Sequence, residues 1–202
     1  MKPGPAAHPI TCRCGAFKGE VRRPDHGTRA VCYCRDCQAF ARFLGPPPGM
    51  MDPLNGTDVV AVRPRFVSFA AGQEHLTCMS LSPKGTLRWY TRCCKTPIGN
   101  TPRDMKISHV GLIHTCLEGG AASLDSVFGP VRMRVNAKSA KATAPANSPL
   151  EFGWAIARYL ASMAWTRVSG QYKVNPFFVA ATGQPIVQPH VVSAEERASL
   201  RG

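Results

Sequence analysis

Up to about residue 135, apolar residues occur in short runs that Gly and Pro interrupt, and Val, Phe, Thr and aromatic residues are frequent within the runs. This pattern is typical of β-strands separated by turns. The segment SPKG, at 82–85, predicts a turn between two of the strands. The predicted strands lie within 58–72, 75–82, 85–94 and 131–137.

The apolar period changes after residue 148. Apolar residues then recur every three or four positions, which predicts an amphipathic helix. Its start is marked by Ser148 as N-cap, by Pro149 at the first helical position and by Glu151, which completes a capping box. Gly170 is the predicted stop. The apolar stripe consists of Phe152, Ile156, Tyr159 or Leu160, and Met163.

These two patterns predict a mainly β fold with a C-terminal α-helical extension. We place the β domain at 8–136 and the extension at 149–202, where 193–202 indicates a second, short helix. Between them, 137–148 is small, polar and proline-bearing, as linkers are. We expect the extension to pack its aromatic residues on the β domain.

The charge of the chain is unbalanced. Its 202 residues include 25 Lys and Arg against 12 Asp and Glu, a formal net charge of +13. Such an excess favours acidic partners, either phosphate backbones or small polycarboxylates. The basic residues are scattered, however, and no groove-reading helix or base-stacking motif accompanies them. Nucleic acid is therefore kept as an alternative partner.

Cellular location bears on what the cysteines do. The N-terminal segment has no apolar run of signal-peptide length, so we expect a cytoplasmic protein. The apolar stretch 152–165 is interrupted by Arg158 and is too short to span a bilayer, so we expect no membrane association. Nine cysteines in a reducing compartment indicate metal ligation or thiol chemistry rather than disulfides.

Seven of the nine cysteines form three clusters, TCRCG, VCYCRDC and TRCCKTP. Cys12 and Cys14 stand two residues apart, so on a strand both sulfurs point to one face and can reach one ion. Cys34 and Cys37 have the two-residue gap of a zinc knuckle. The clusters therefore predict metal sites.

Zinc is the metal that this ligand set favours, since soft thiolates in tetrahedral sets usually hold zinc in cells, with iron–sulfur clusters as the alternative. A redox role for Cys34 and Cys37 would need the βαβ context of thioredoxin-like motifs, which the pattern lacks. The other two cysteines lie outside the clusters. We interpret Cys78 as a small buried hydrophobe, and Cys116 as the same or as a metal ligand paired with His114.

The order and spacing of the clusters resemble those of the glutathione-dependent formaldehyde-activating enzyme family, which includes centromere-protein-V-like proteins. The family pattern is CxCG, then CxCxxC, then CxxCGTP. Here CRCG, CYCRDC and the CKTP segment follow that order within roughly residues 10–135. The segments LNGTDVV and GQEHLTCMSLSPKGTLRWYTRCC are also similar to the family's route from the second cluster to the third.

The resemblance implies a Mss4-like β-fold with two zinc sites, one structural and one catalytic. The implied structural ligands are Cys12, Cys14 and Cys94, and the implied catalytic ligands are Cys32, Cys34 and Cys37. Three protein ligands leave the catalytic zinc an open position for water or a substrate thiolate. Glutathione is then the expected co-substrate, and its adduct with formaldehyde or a related aldehyde the expected substrate.

The third cluster departs from the family pattern. Thr91 stands where the pattern has the first cysteine of CxxC, Cys93 adjoins Cys94, and Lys95 replaces the usual Gly. Adjacent residues on a strand point to opposite faces. Three alternatives follow. A kink lets Cys93 supply the fourth sulfur, the site has three sulfurs and a water molecule, or it has lost its metal.

Three functions are compatible with these observations. The first is a zinc-dependent carbon–sulfur lyase acting on a thiol adduct, with His109 and His114 as the nearest candidates for a general base. The second is a non-catalytic, zinc-stabilised module that contacts nucleic acid through its basic surface, and the third is a zinc-stabilised scaffold.

A second departure from the family pattern lies near residue 135. The family's HIYVESK-like strand corresponds to VRMRVNAK, with Arg132 at the histidine position and Asn136 at the acidic one.

Overall fold

The computed structural model describes residues 7–45, 49–117 and 121–202. Within these ranges it contains eleven strands in two sheets and four α-helices, two of them near the C-terminus. The prediction of a mainly β fold with a C-terminal helical region is confirmed. The Mss4-like fold stays a prediction.

The elements follow one another in this order along the chain. The strands are β1 (Ala7–Thr11), β2 (Lys18–Arg22), β3 (Thr28–Cys32), β4 (Thr57–Val62), β5 (Val67–Ala71), β6 (Leu76–Ser80), β7 (Leu87–Thr91), β8 (Pro97–Thr101), β9 (Val110–Ile113), β10 (Met133–Val135) and β11 (His190–Val191). The α-helices are α1 (Arg35–Leu44), α2 (Ala121–Phe128), α3 (Pro149–Val168) and α4 (Ala194–Arg201).

The strands form a small sheet and a large one. The small sheet is antiparallel, in the order β1-β2-β5. The large sheet has the order β10-β3-β4-β9-β8-β7-β6-β11. Its inner pairs are antiparallel, but at its two edges β10 runs parallel to β3 and β11 parallel to β6. Both edge strands are short, which limits the unpaired backbone offered to other chains.

The large sheet is covered on both faces, and successive side chains of β7 point alternately to one face and the other. Trp89 lies in the core shared with the small sheet, whereas Tyr90 packs against the opposite, helical layer. Phe177, which follows α3, joins the same core, with its ring 5.0 Å from that of Trp89 and 5.1 Å from that of Phe69. Part of the predicted extension therefore completes the β core. The domain boundaries themselves stay a prediction.

The helical layer consists of α1 and α4. Phe40 and Leu44 of α1 are buried in one cluster with Met79 and Ile113 of the large sheet. The two helices contact each other near the end of the chain. There the Arg42 guanidinium donates a hydrogen bond to the carbonyl of Leu200 (2.6 Å), and Arg201 forms an ion pair with Asp36.

Helix α3 begins at Pro149, as its start signals predict, and ends at Val168, just before the predicted stop at Gly170. Ser148 holds the N-cap position, but its side chain makes no capping hydrogen bond, so that half of the predicted capping box does not form. Two side-chain contacts link the helix to the β domain. Arg63 donates to the Ser162 hydroxyl (2.7 Å), and the ring of Tyr159 meets His109 edge-on at 5.4 Å. No helix in the described parts of the chain has the length and apolarity to cross a membrane.

Candidate metal centres

Four sulfur atoms meet where two hairpin turns approach each other. Cys12 and Cys14 come from the turn after β1, and Cys93 and Cys94 from the turn after β7. The four Sγ atoms, which we call the four-sulfur group, all lie within 4.8 Å of one another. The Sγ–Sγ separations are 3.6 Å for Cys12–Cys14, 3.4 Å for Cys14–Cys93, 3.9 Å for Cys12–Cys93 and 3.8 Å for Cys93–Cys94.

These separations fit a tetrahedral zinc ion. With Zn–S bonds of about 2.3 Å, tetrahedral geometry places the sulfurs about 3.8 Å apart. A disulfide would need a sulfur–sulfur bond of about 2.05 Å, and all nine cysteines are free thiols. The four-sulfur group can therefore hold a metal ion in a closed, four-ligand site.

The turn after β7 explains how adjacent cysteines serve one site. Lys95 adopts a left-handed backbone conformation with φ of 54°. The chain folds back there, so that Lys95 donates to the Thr91 carbonyl (2.8 Å) and Thr91 donates to the Thr96 carbonyl (3.0 Å). Strand geometry has ended before Cys93 and Cys94, and both sulfurs reach the group. Of the three alternatives for this cluster, the structure has the kink that brings in Cys93.

Hydrogen bonds join the two turns around the sulfurs. Arg13 donates its backbone N–H to the Thr96 hydroxyl and its guanidinium to the Cys94 carbonyl, both at 2.9 Å. Burial opposes ionisation of Cys94. Hydrogen bonds from the hydroxyls of Thr91 and Thr96 and from the Cys14 backbone outweigh burial and lower the pKa of Cys94 to about 5. The surroundings thus favour the thiolate that a metal ligand must be.

The other three clustered cysteines meet where β3 passes into α1. Cys32 ends the strand, Cys34 is the N-cap of the helix, and Cys37 lies in its first turn. Their Sγ atoms, which we call the three-sulfur group, lie within 4.8 Å of one another. The Cys37 backbone N–H donates to the Cys34 sulfur (3.3 Å). A sulfur thus takes the capping place that Ser or Asp usually fills.

The three thiols are unequal in acidity. Hydrogen bonds from Cys32 and Cys37 hold the pKa of Cys34 far below its usual value, and the positive end of the helix dipole acts in the same sense. Hydrogen bonding to Cys32 and Cys34, together with burial, raises the pKa of Cys37 well above its usual range. Of the three thiols, these surroundings favour the thiolate at Cys34.

Arg88 supplies positive charge beside this group. Its guanidinium is buried and lies 3.8 Å from the Cys37 sulfur. The same guanidinium donates to the Asn100 amide oxygen (3.2 Å) and forms an ion pair with Asp36 (3.9 Å). Because several partners fix the guanidinium fork, Arg88 holds its charge against the sulfurs.

Two further polar side chains stand at the edge of the group. Asn136 donates its amide to the Cys32 sulfur (3.6 Å). Thr57 pairs directly with Cys32 across β3 and β4, and such partners lie on the same face of a sheet. The Thr57 hydroxyl is buried and has no hydrogen-bond partner in the described structure. It is a free hydrogen-bonding group on the same face as the Cys32 sulfur.

The three-sulfur group has no fourth protein ligand among residues 7–45, 49–117 and 121–202, in which no further His, Cys, Asp or Glu joins the three sulfurs. Asp36, which neighbours the group, is engaged by Arg88 and Arg201. A metal ion held by these sulfurs would keep one coordination position for water or a ligand.

The cysteines outside the clusters and the two histidines predicted as general bases lie away from both sulfur groups. Cys78 and Cys116 are fully buried in the core between the sheets, and Cys116 donates to the Ile98 carbonyl (3.3 Å). The ring nitrogens of His114 lie within hydrogen-bond distance of two carbonyl oxygens, those of Asp58 (3.1 Å) and Gly49 (2.7 Å). His109 contacts α3, and burial lowers its pKa to about 4. No contact joins either histidine to a sulfur group in the described residues.

All seven predicted cysteine ligands thus fall into the two groups, but sequence analysis missed Arg88, Asn100 and Thr57. One signal was present, because Arg88 interrupts an otherwise apolar and aromatic strand. A charged residue at a core position of a strand needs a partner. Nothing in the local sequence identifies that partner as a cysteine 51 residues away.

The fold and the two cysteine groups define a β protein that can bind metal ions. The model of a family of unknown function, DUF6151, matches residues 6–188, and the chain belongs to this family. A crystal structure of a Rhodobacter sphaeroides protein is similar at 21% identity and a TM-score of 0.40, over 63% of this chain and 99% of that one. No curated protein matches the chain.

Proposed function

We propose that this protein is a zinc protein whose four-sulfur group holds a structural ion and whose three-sulfur group is the site of a carbon–sulfur lyase. The substrate class is a thiol adduct of an aldehyde, such as the adduct of glutathione with formaldehyde. One observation carries the proposal. The three-sulfur group leaves a coordination position open beside a buried cation, whereas the four-sulfur group is complete.

The reaction needs stabilisation of a sulfur anion. In an adduct R–S–CH2–OH the carbon–sulfur bond breaks with its electron pair staying on sulfur, and the hydroxyl proton passes to solvent water as the carbonyl of formaldehyde forms. Zinc held by three thiolates would use its open position to stabilise a substrate thiolate.

Arg88 offsets part of the negative charge that three thiolates and a substrate sulfur bring together. Its ties to Asp36 and Asn100 keep the guanidinium in place, so little reorganisation is needed during the reaction. Asn136 and the unpartnered hydroxyl of Thr57 lie beside Cys32. Asn136, which is exposed, offers a hydrogen bond to a polar atom of a bound adduct, whereas the Thr57 hydroxyl is buried.

Metal stoichiometry tests the binding half of this proposal. Protein purified without chelator should contain two zinc ions per chain, and the Cys34→Ser variant one. In cobalt-substituted protein, glutathione should change the visible spectrum of the wild type but leave that of the Cys34→Ser variant unchanged. A spectrum that is indifferent to glutathione in both proteins would contradict an open, thiol-binding site.

The catalytic half needs its own measurement. Exchange between formaldehyde plus glutathione and their adduct can be followed by NMR, with the uncatalysed exchange as reference. The wild type should accelerate exchange and Cys34→Ser should not. Two bound zinc ions without acceleration would reject the lyase and favour a zinc-stabilised scaffold.

A second candidate function is favoured by one feature of the surface. Arg22, Arg23 and Arg65 line a hollow of about 470 Å³ together with Phe66, over whose ring the Arg65 guanidinium lies at 4.5 Å. Cations beside an aromatic ring suit a single-stranded nucleic acid. Affinity for a single-stranded oligonucleotide that falls steeply with salt, and falls further in Arg22→Gln/Arg65→Gln, would support this function. Salt-independent or absent binding would reject it.

A further inference from the structure

Helix α3 is apolar over most of its surface. Of its 20 residues, 13 are apolar or aromatic and three are charged. Thr166 is nevertheless its one buried residue. Helices in proteins are stabilised mainly by the packing of their apolar faces against other parts of the structure. The single chain therefore leaves most of this helix without the packing that its sequence is suited to.

The exposed side of α3 carries large side chains. Within the described residues, ten large apolar side chains are exposed, and five of them lie on this one helix. The five, with their exposed fractions, are Leu150 (87%), Trp154 (71%), Leu160 (54%), Trp165 (62%) and Val168 (85%).

These side chains form one continuous surface. At about 100° of rotation per residue, Leu150, Trp154, Trp165 and Val168 fall on the same side of the helix, and Leu160 borders them. Ala157 and Ala161 lie in the middle of that side and are exposed. The charged residues fall at or beyond its edges. They are Glu151, Arg158 and Arg167.

The surface is symmetric about the middle of the helix, near Tyr159. Leu150 and Val168 are equidistant from that point, and so, within a residue, are Trp154 and Trp165. Ala157 and Ala161 flank the centre. A second copy running antiparallel would therefore place tryptophan on tryptophan and alanine on alanine. Self-complementarity of this kind is what a two-fold interface requires, and the small central residues let two helices approach closely.

The exposed area reaches the minimum of a specific interface between two chains. With 150–250 Å² for each aromatic side chain, the five residues expose on the order of 500 Å² per chain. Two copies would then bury on the order of 1,000 Å², which reaches the lower range of specific interfaces. A monomer would instead leave exposed an apolar patch as large as any that monomers usually carry.

We propose that α3 is a dimerisation helix that pairs antiparallel with α3 of a second copy through Leu150, Trp154, Ala157, Ala161, Trp165 and Val168. The interface is apolar, while each chain carries a formal charge of +13. Repulsion between the two chains is screened by salt, so association strengthens as salt rises. Binding of the same surface to an anionic lipid membrane would weaken instead.

Sedimentation equilibrium of the full chain tests the proposal. The wild type should sediment at twice its mass of 21.8 kDa at micromolar concentration, with tighter association at higher salt. Ala157→Glu brings two like charges together at the centre of the interface and should weaken association by about 100-fold or more. Ala198→Glu is the matched control, because it makes the same change at an exposed alanine of α4 and should leave the dimer unchanged.

Three results would overturn the proposal. The first is a wild type that stays monomeric at 100 times the concentration at which the dimer should form. The second is a dimer that Ala157→Glu leaves intact while its circular dichroism shows a folded protein. The third is a monomer that binds vesicles of anionic phospholipid and releases them as salt rises, because the occupant of the helix face would then be a membrane.

Discussion

The two sulfur groups differ in how far apart their cysteines lie along the sequence. The three-sulfur group takes its ligands from six consecutive positions at one strand–helix junction. The four-sulfur group joins Cys12 and Cys14 to Cys93 and Cys94, about 80 residues later, and so ties the small sheet to the large one. They also lie on opposite faces of the large sheet, since Cys12 belongs to the core between the sheets and Cys37 to the helical layer.

Because of this difference in sequence separation, metal binding should contribute to folding stability mainly at the four-sulfur group. A metal ion that closes a long loop contributes its binding free energy to folding, because the unfolded chain has no preformed site. A metal ion in the three-sulfur group closes a short loop that α1 and the sheet already order. Loss of metal there should leave the fold intact. The three-sulfur group can therefore leave a coordination position open without a cost to the stability of the fold.

The largest effect is expected from Cys12→Ser. Removing a ligand from the four-sulfur group should release its metal and destabilise the protein by about 3 kcal/mol or more, which lowers the melting temperature by about 10 °C. Thermal denaturation and zinc analysis of the same sample measure both. Cys78→Ala is the control, since it alters a buried cysteine outside both groups and should keep all the metal.

The turn that carries Cys93 and Cys94 predicts that a cysteine at position 91 can compensate for the loss of Cys93. Loss of a residue that only orients a metal ligand typically weakens metal binding by roughly 10- to 100-fold. Cys93→Ser removes a ligand itself, so it should weaken zinc binding at the four-sulfur group by more than this. Thr91 is buried, with its hydroxyl 3.4 Å from the Cys94 sulfur. Adding Thr91→Cys should recover much of the lost affinity in a chelator competition. No recovery would mean that the turn permits only Cys93 as the fourth ligand.

Cys34→Ser should affect metal content more than stability. Serine is a good N-cap residue, so the substitution keeps the cap of α1 while removing a thiolate. One equivalent of zinc should be lost, and the melting temperature should fall by less than about 3 °C. If Cys34→Ser and Cys12→Ser lowered the melting temperature equally, the division between a structural and an open site would be wrong.

The smallest effect is expected from the two arginines that contact the sulfur groups. Arg88→Lys keeps a charge near Cys37 but loses the guanidinium fork, and should weaken metal binding at the three-sulfur group by about 10-fold. Arg13→Lys is its counterpart beside Cys94 and should affect the four-sulfur group alone. Chelator competition that distinguishes the two equivalents checks both. Equal effects on both sites would show that the groups are coupled.

Particular residues show how far sequence analysis reached. The strands around Cys78 and Trp89 followed from residue composition and turn residues, and α3 from its apolar period and the residues at its ends, because all of these signals are local. The missing capping bond of Ser148 was not foreseen, since a suitable residue at an N-cap position does not fix the rotamer of its side chain. The position of Phe177 inside the β core also lay beyond local patterns.

The sequence by itself determined that seven cysteines are clustered and that three of them, Cys32, Cys34 and Cys37, are close enough along the chain to meet at any strand–helix junction. Tertiary structure decided how the four-sulfur group closes, because it brings the turn that carries Cys93 to the sulfurs of Cys12 and Cys14, about 80 residues earlier in the chain. It also brought Arg88 to Cys37. Both outcomes depend on segments far apart in the chain, whose meeting is fixed by strand order and register rather than by any local preference.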